Sequence, residues 1–301
     1  MNRPAPLEVV FLTNFSDSCF RAIPSIAQMV DDFSVHLTIL HAYDPKRRQR
    51  AESEAWLRSF FPEADRYLRA KRVVMAGPPV EALQRLKNSQ QIDMVLCPGS
   101  DALGLPRLGH RPFRARVVHE YGLPVWTIGR HVDPARLGRP ARNVACWMAF
   151  GSAETAHVKL AAEYAVSVGA KLHLLQTLPD IHEGMILPSL YGHPLQAGEI
   201  EEAYCKLLHR YPLQPLIHIH GGNGRKTRAA LAKEHDADVL FTSVARSPLT
   251  DWAYSDFDAI DHCPCPVICI GQGSAPPVWN LERGYGRAAH AVPTAAPRAI
   301  A

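Results

Sequence analysis

Apolar and polar positions along the chain fall into five short strand-like runs, and the five recur in the same order in its second half. VVFLTNFSDS at 9–18 answers to ACWMAFGSAE at 145–154, each an apolar run ending in a small turn and a Ser able to cap a following helix. HLTILHAYDP at 36–45 answers to KLHLLQTLPD at 171–180, and VVMAGPPVEALQRL at 73–86 to HIHGGNGRKTRAAL at 218–231. IDMVLCPGS at 92–100 matches ADVLFTSVA at 237–245, and LPVWTIG at 123–129 matches CPVICIG at 265–271. Between the first two strands of the second copy, Ala156, Leu160, Ala161, Tyr164, Ala165 and Val168 recur at helical spacing. Ile23, Ile26, Ala27 and Val30 do the same in the first copy, where Pro24 should kink the helix by removing an interior hydrogen bond. Apolar strands alternating with helices predict parallel sheets covered on both faces.

The repeat predicts an α/β protein of two tandem domains, each a five-stranded parallel sheet flanked by helices, over residues 1–133 and 140–272. RHVDPARLGRPARN at 130–143 has the prolines, glycine and charges of a surface linker. Segments 44–70 and 179–212 interrupt the copies after their second strands and predict irregular or helical cover. Residues 273–301, rich in Ala, Pro and Gly without periodicity, predict a mobile tail.

Charge changes the picture little. With 33 basic and 29 acidic residues in 301, the net charge of +4 gives no nucleic-acid stripe, and KRRQR at 46–50 reads as a solvated loop. The seven cysteines sit mostly inside apolar runs, as buried thiols do in a reducing compartment, which places the protein in the cytoplasm. The N-terminal MNRPAPLEVVFL has no signal-peptide pattern, and no run reaches the ~18 apolar residues of a membrane span, so no membrane partner is expected.

These runs together resemble the universal stress protein family in its tandem, UspA-like form, over nearly all of 7–271. The resemblance rests on TNFSDS after the first strand, HLTILHAY, the Gly turn of VVMAGPPVEAL, IDMVLCPGSDALGLPRLGH and LPVWTIG. The second copy adds GSAETA, HLLQTLPD, ADVLFTS and CPCPVICIG. It implies doubly wound, adenine nucleotide alpha hydrolase-like domains with ligands at the carboxyl ends of the strands. It also implies that the last strands, Val125 to Ile128 and Val267 to Ile270, pair inside one chain and cover each other's edge. Association of two chains through another face stays open.

Members of that family that bind ATP carry an Asp after the first strand and Gly-x2-Gly-x9-Gly-Ser/Thr after the fourth. Here Asn14, followed by Phe15, stands at the first position, and Phe150 in the second copy. The first copy offers Gly99, Gly104 and Gly109 in compressed spacing, with His110 in place of the hydroxyl. The second has no glycine there. Glycines at such a loop let backbone N–H groups approach phosphates. The candidate cofactor-binding residues are therefore Asn14, Phe15, Gly99, Gly104, Gly109 and His110, with ATP in the first copy as the alternative to no cofactor at all.

Other patterns are incomplete. GGNGRKT at 221–227 lacks the P-loop spacing because Arg225 separates Gly224 from Lys226, and reads as a turn and helix start. His218 and His220 alternate on a strand, but no third ligand follows at a recognisable spacing, so no metal is expected. Cys263, Cys265 and Cys269 lack CxxC spacing and read as core thiols. No G-x-S-x-G elbow is present, so no catalytic residue is named. His182, Tyr191 and His193 lie in the long insert where an unforeseen ligand would sit. The expectation is a non-catalytic stress protein acting through protein partners or a small ligand, with a first-copy nucleotide sensor or slow ATPase as the alternative.

Overall fold

The computed structural model describes residues 6–99, 113–148, 155–178, 197–221, 224–244 and 260–271. Among them, the strands of the first half are β1 (Leu7–Thr13), β2 (Val35–Tyr43), β3 (Ala70–Ala76), β4 (Met94–Leu96) and β5 (Val125–Thr127). Those of the second are β6 (Asn143–Met148), β7 (Lys171–Leu178), β8 (Leu216–Gly221), β9 (Val239–Val244) and β10 (Val267–Gly271). All join one sheet in the order β3-β2-β1-β4-β5-β10-β9-β6-β7-β8. Pairing is parallel within each half. At the junction β5 and β10 run antiparallel, with Thr127 opposite Val267, Trp126 opposite Ile268 and Val125 opposite Cys269. The expected pairing of the two closing strands is thus observed, and neither presents an open edge.

The helices are α1 (Asp17–Asp32), α2 (Arg50–Ser59), α3 (Pro79–Ser89), α4 (Phe113–Tyr121), α5 (Ala156–Val168), α6 (Ala197–Leu208) and α7 (Gly224–Glu234). α1 continues through Pro24, which withholds a hydrogen bond from the Phe20 carbonyl on a turn where Phe20 itself is exposed. α5 ends at Gly169, whose left-handed φ of 68° sends its N–H back to the Ala165 and Val166 carbonyls. The apolar faces of these helices bury both sides of the sheet. One layer holds Phe11, Ile26, Leu37 and Phe60 with Cys146, Leu160, Tyr164 and Phe241. The other holds Leu40, Leu83 and Val117 with Trp147, Leu231 and Leu240. Each layer runs across the junction. Phe33 at the end of α1 lies 5.6 Å from the Tyr164 ring on α5, which lies 5.5 Å from Phe241.

The linker is packed rather than free. Val132 and Leu137 are buried, Arg21 donates to the Arg130 and Val132 carbonyls, and Arg136 pairs with Asp236 and Asp238. The inserted segment 44–70 contains α2 and a 3-10 turn over Pro62–Arg66, and the described part of 179–212 contains α6. Residues 273–301 lie outside the described residues. No described helix is long and apolar enough to cross a membrane.

Register corrects one detail of the repeat. Val9 pairs with Leu37 and Met94, as Val144 pairs with Leu172 and Val239, so Thr13 corresponds to Met148. Counting on, Asn14 corresponds to Ala149 and Phe15 to Phe150, one residue away from the alignment of apolar runs. Strands buried on both faces lack the alternation that would have fixed the frame.

Candidate functional site

The carboxyl ends of β1 and β4 adjoin, because Phe11 pairs with Leu96 and Asn14 and Gly99 each follow three residues later. In a doubly wound sheet this strand-order reversal is where ligands bind. Asn14 is exposed, yet its carbonyl oxygen already accepts from the Ser16 N–H at 3.1 Å and the Cys19 thiol at 3.2 Å. It closes the turn that starts α1. The Phe15 N–H donates to Thr13 Oγ1 at 3.1 Å, with φ at 62°, a conformation bulky residues rarely adopt. That backbone aims the Phe15 ring over β2, where it lies 4.3 Å from the His41 ring. It also meets Phe60 and Trp56 edge-on at 5.5 and 5.9 Å.

His41 is buried, and burial first, with Arg48 adding to it, pushes its pKa below the ordinary imidazole value. Nδ1 donates to the Thr13 carbonyl at 3.0 Å, which leaves Nε2 a buried acceptor without a hydrogen-bond partner.

Gly99 serves the junction between the halves. Its N–H donates to the Ile128 carbonyl at 2.9 Å, and a Cβ there would meet Asp261 Oδ1 and the Ile128 carbonyl at 3.0 Å each. Asp261 takes both arms of Arg114 on α4, with Nη1 to Oδ1 at 2.6 Å and Nη2 to Oδ2 at 2.5 Å, while Nη1 also reaches Thr127 Oγ1 at 2.9 Å. A bidentate pair of this kind is strong and directional. Of the sequence candidates, Asn14 and Phe15 share one turn and Gly99 sits at the neighbouring strand end. Gly104, Gly109 and His110 lie outside the described residues, as do Phe150, His182, Tyr191 and His193.

A second constellation was only half visible in sequence. His173 on β7 and His218 on β8 approach Nδ1 to Nε2 at 3.2 Å, with rings stacked 5.3 Å apart. His235, just past α7, sets its ring centroid 3.9 Å from that of His218 and 5.5 Å from that of His173, tilted to both. One ring nitrogen from each of the three lies within 4.8 Å of the other two. The sequence shows no third ligand at a recognisable spacing because the imidazoles that gather beside His218 are distant along the chain. Burial, then His218, His235 and Lys171, push His173 down to about 4, and burial also lowers His218 and His235. The shifts favour the neutral imidazole in all three.

The remaining groups are quieter. Cys263, Cys265 and Cys269 are buried, and burial pushes the Cys263 thiol up to about 12, which disfavours the thiolate. An open cleft at the amino ends of β1 to β3 is lined by Glu8, His36, Arg69 and Lys71. Their heads are engaged: Glu8 with His36 at 2.5 Å, Arg69 with Ser34 at 3.1 Å and Lys71 with Gln90 at 2.6 Å.

No protein-family model and no curated protein matches the sequence. Solved structures do match. A universal stress protein from Archaeoglobus fulgidus DSM 4304 superposes with a TM-score of 0.65 at 14% identity, covering 88% of this chain and 98% of its own. A putative universal stress protein from Pseudomonas aeruginosa UCBPP-PA14 gives 0.57 at 15%, covering 89% and 94%. The cytoplasmic domain of a prokaryotic cation chloride cotransporter gives 0.55 at 11%, covering 90% and 98%. At these identities the likeness is one of fold, and the cotransporter domain demonstrates that the fold serves more than one purpose. The chain has the fold of the universal stress proteins, two copies of it in one polypeptide.

Proposed function

We propose that this protein is a tandem universal stress protein of the cytoplasm that acts without catalysis, through protein partners or a small ligand, and whose first-half cleft does not take ATP. The observation that carries this reading is Phe15, whose ring covers the ends of β1 and β2 against His41, Trp56 and Phe60. Aromatic carbon there occupies volume that a ligand would need. Asn14 adds to the case, since its oxygen is spent on Ser16 and Cys19 and it brings no negative charge. Domain limits at 133 and 140 are part of this reading, between Val125–Thr127, which closes the first half, and Asn143–Met148, which opens the second. Cysteines buried in apolar surroundings, Cys19 and Cys146 among them, suit a reducing compartment.

A nucleotide sensor in the first half is the second reading, favoured by one atom. His41 Nε2 is an acceptor buried without a partner, and an exocyclic amine could satisfy it. Isothermal titration of ATP, with and without magnesium, into the full chain, Asn14→Ala and Phe15→Ala separates the two. No specific heat with the wild type is expected. Binding at one site per chain, weakened in Asn14→Ala, would replace the first reading with the second.

A further inference from the structure

We propose that the second half carries a transition-metal site of the zinc class, built from His173 on β7, His218 on β8 and His235 at the end of α7. The sheet register brings the three together. His173 pairs with Leu216 and Leu175 with His218, so His173, His218 and His220 project from one face. That face is the one on which Leu231 and Ala232 of α7 pack, and the last turn of α7 delivers His235, whose N–H bonds the Leu231 carbonyl at 3.0 Å.

The spacing suits a small divalent ion. Tetrahedral zinc with Zn–N bonds of about 2.0–2.1 Å holds its nitrogen ligands about 3.3–3.4 Å apart. The His173 to His218 separation of 3.2 Å already has that length. The third nitrogen needs to close from within 4.8 Å, a side-chain rotation. An all-imidazole donor set favours zinc, copper, nickel or cobalt over calcium and magnesium. His220, 6.0 Å from the His235 ring, stands beside the three, and Glu234 is the neighbouring carboxylate.

Two further observations point to a ligand. The Nε2 atoms of His220 and His235 are buried without a hydrogen-bond partner, and His173, which presents Nδ1 to His218, is only 9% exposed. Orphaned imidazole nitrogens beside such a ring are costly unless something binds them. The first half, moreover, builds the same corner without histidine. By strand register and helix end, the counterparts of His173, His218, His220 and His235 are Thr38, Val73, Met75 and Gln90. There Gln90 Nε2 donates to Thr38 Oγ1 at 3.4 Å and its oxygen accepts from Lys71 at 2.6 Å. The fold itself therefore does not demand four imidazoles at this edge.

The test uses untagged, chelator-treated full-length protein titrated with Zn2+ and, separately, Co2+. The expected result is one equivalent per chain, intense four-coordinate Co2+ absorption bands, and imidazole 15N resonances of three histidines moved to metal-bound positions. His218→Ala and His235→Ala, with native circular dichroism, should weaken Zn2+ binding by at least about 100-fold, since outer-shell changes alone cost 10–100-fold. The exposed His209→Ala should leave it unchanged. Absence of stoichiometric uptake by the wild type, a six-coordinate Co2+ spectrum, or uptake that survives the His218→Ala, His235→Ala double variant would each overturn the site. The wild-type stoichiometry and resonances decide the matter even where a variant fails to fold.

Discussion

Replacing Asp261 by Asn tests whether the two halves are locked by charge as well as by strand pairing. The Arg114 side chain is 8% exposed and that of Asp261 20%, and both carboxylate oxygens accept from the guanidinium at 2.6 and 2.5 Å. Asn keeps the shape and one acceptor but removes the negative charge facing a buried cation. Breaking such a pair from one side costs about 3–5 kcal/mol, and the retained acceptor puts the expected loss at about 3 kcal/mol. Urea unfolding at pH 7 reads it as a lower midpoint, with unchanged slope if the halves unfold together and a second transition if they part. Replacing both partners, Arg114→Met with Asp261→Leu, leaves no charge buried and should fall within about 1 kcal/mol of wild type. A single variant that costs under about 1 kcal/mol, or a double variant worse than the single, would refute the lock.

Two further outcomes follow from the same region and from the core. A Cβ at Gly129 would stand 2.5 Å from the Asp261 carbonyl oxygen and 3.0 Å from its carbon, all backbone of the other half. Gly129→Ala should therefore destabilise by about 1–3 kcal/mol, as overpacking does. The control Gly198→Ala, with nothing within 4 Å in α6, should gain a few tenths to about 1 kcal/mol in the same melt. His157 is buried with Nε2 at 3.1 Å from the Trp147 carbonyl, and burial pushes it from 6.5 to about 4. The unfolded chain takes up that proton first as pH falls below about 6.5, so stability present at pH 7 drains away down to about 4 and amounts to about 3 kcal/mol. His157→Leu should remove that part of the slope between pH 7 and 4.

Much of the fold was legible because its signals are local and repeated. Each strand is a short apolar run, each following helix has an apolar stripe, and LPVWTIG and CPVICIG announced the strands that meet at the junction. The frame of the first repeat was less legible: β1 and β6 are buried on both faces, and a continuous apolar run gives no parity. Phe15 was flagged by position alone. Nothing in TNFSDS tells that a phenylalanine will adopt φ of 62° and turn over β2. His218 and His220 were visible as a strand pair, but His173 lies 45 residues from His218 and meets it only through the β7–β8 register. The Arg114–Asp261 pair spans 147 residues and has no local signature at all.

The junction explains why the copies differ where they meet. Two identical halves joined about a two-fold axis would repeat every contact, each residue meeting its partner's counterpart. Here the closing strands Val125–Thr127 and Val267–Gly271 fix the correspondence, and the first-half counterpart of Asp261 is His119. A pair of first halves would thus set Arg114 against an imidazole instead of a carboxylate. Burying a guanidinium without its counter-charge costs several kcal/mol, so the seam favours the second half over another copy of the first. Fusion supplies that second half at high effective concentration, and the packed linker, tied by Arg21 to one side and by Arg136 to the other, holds it in place. With β5 and β10 consumed internally, the sheet's outer strands are β3, which bears Lys71 and Arg72, and β8, which bears His218 and His220. Charge on the first edge discourages strand addition, which leaves the histidine-lined edge as the one where the second copy has acquired chemistry that the first does not possess.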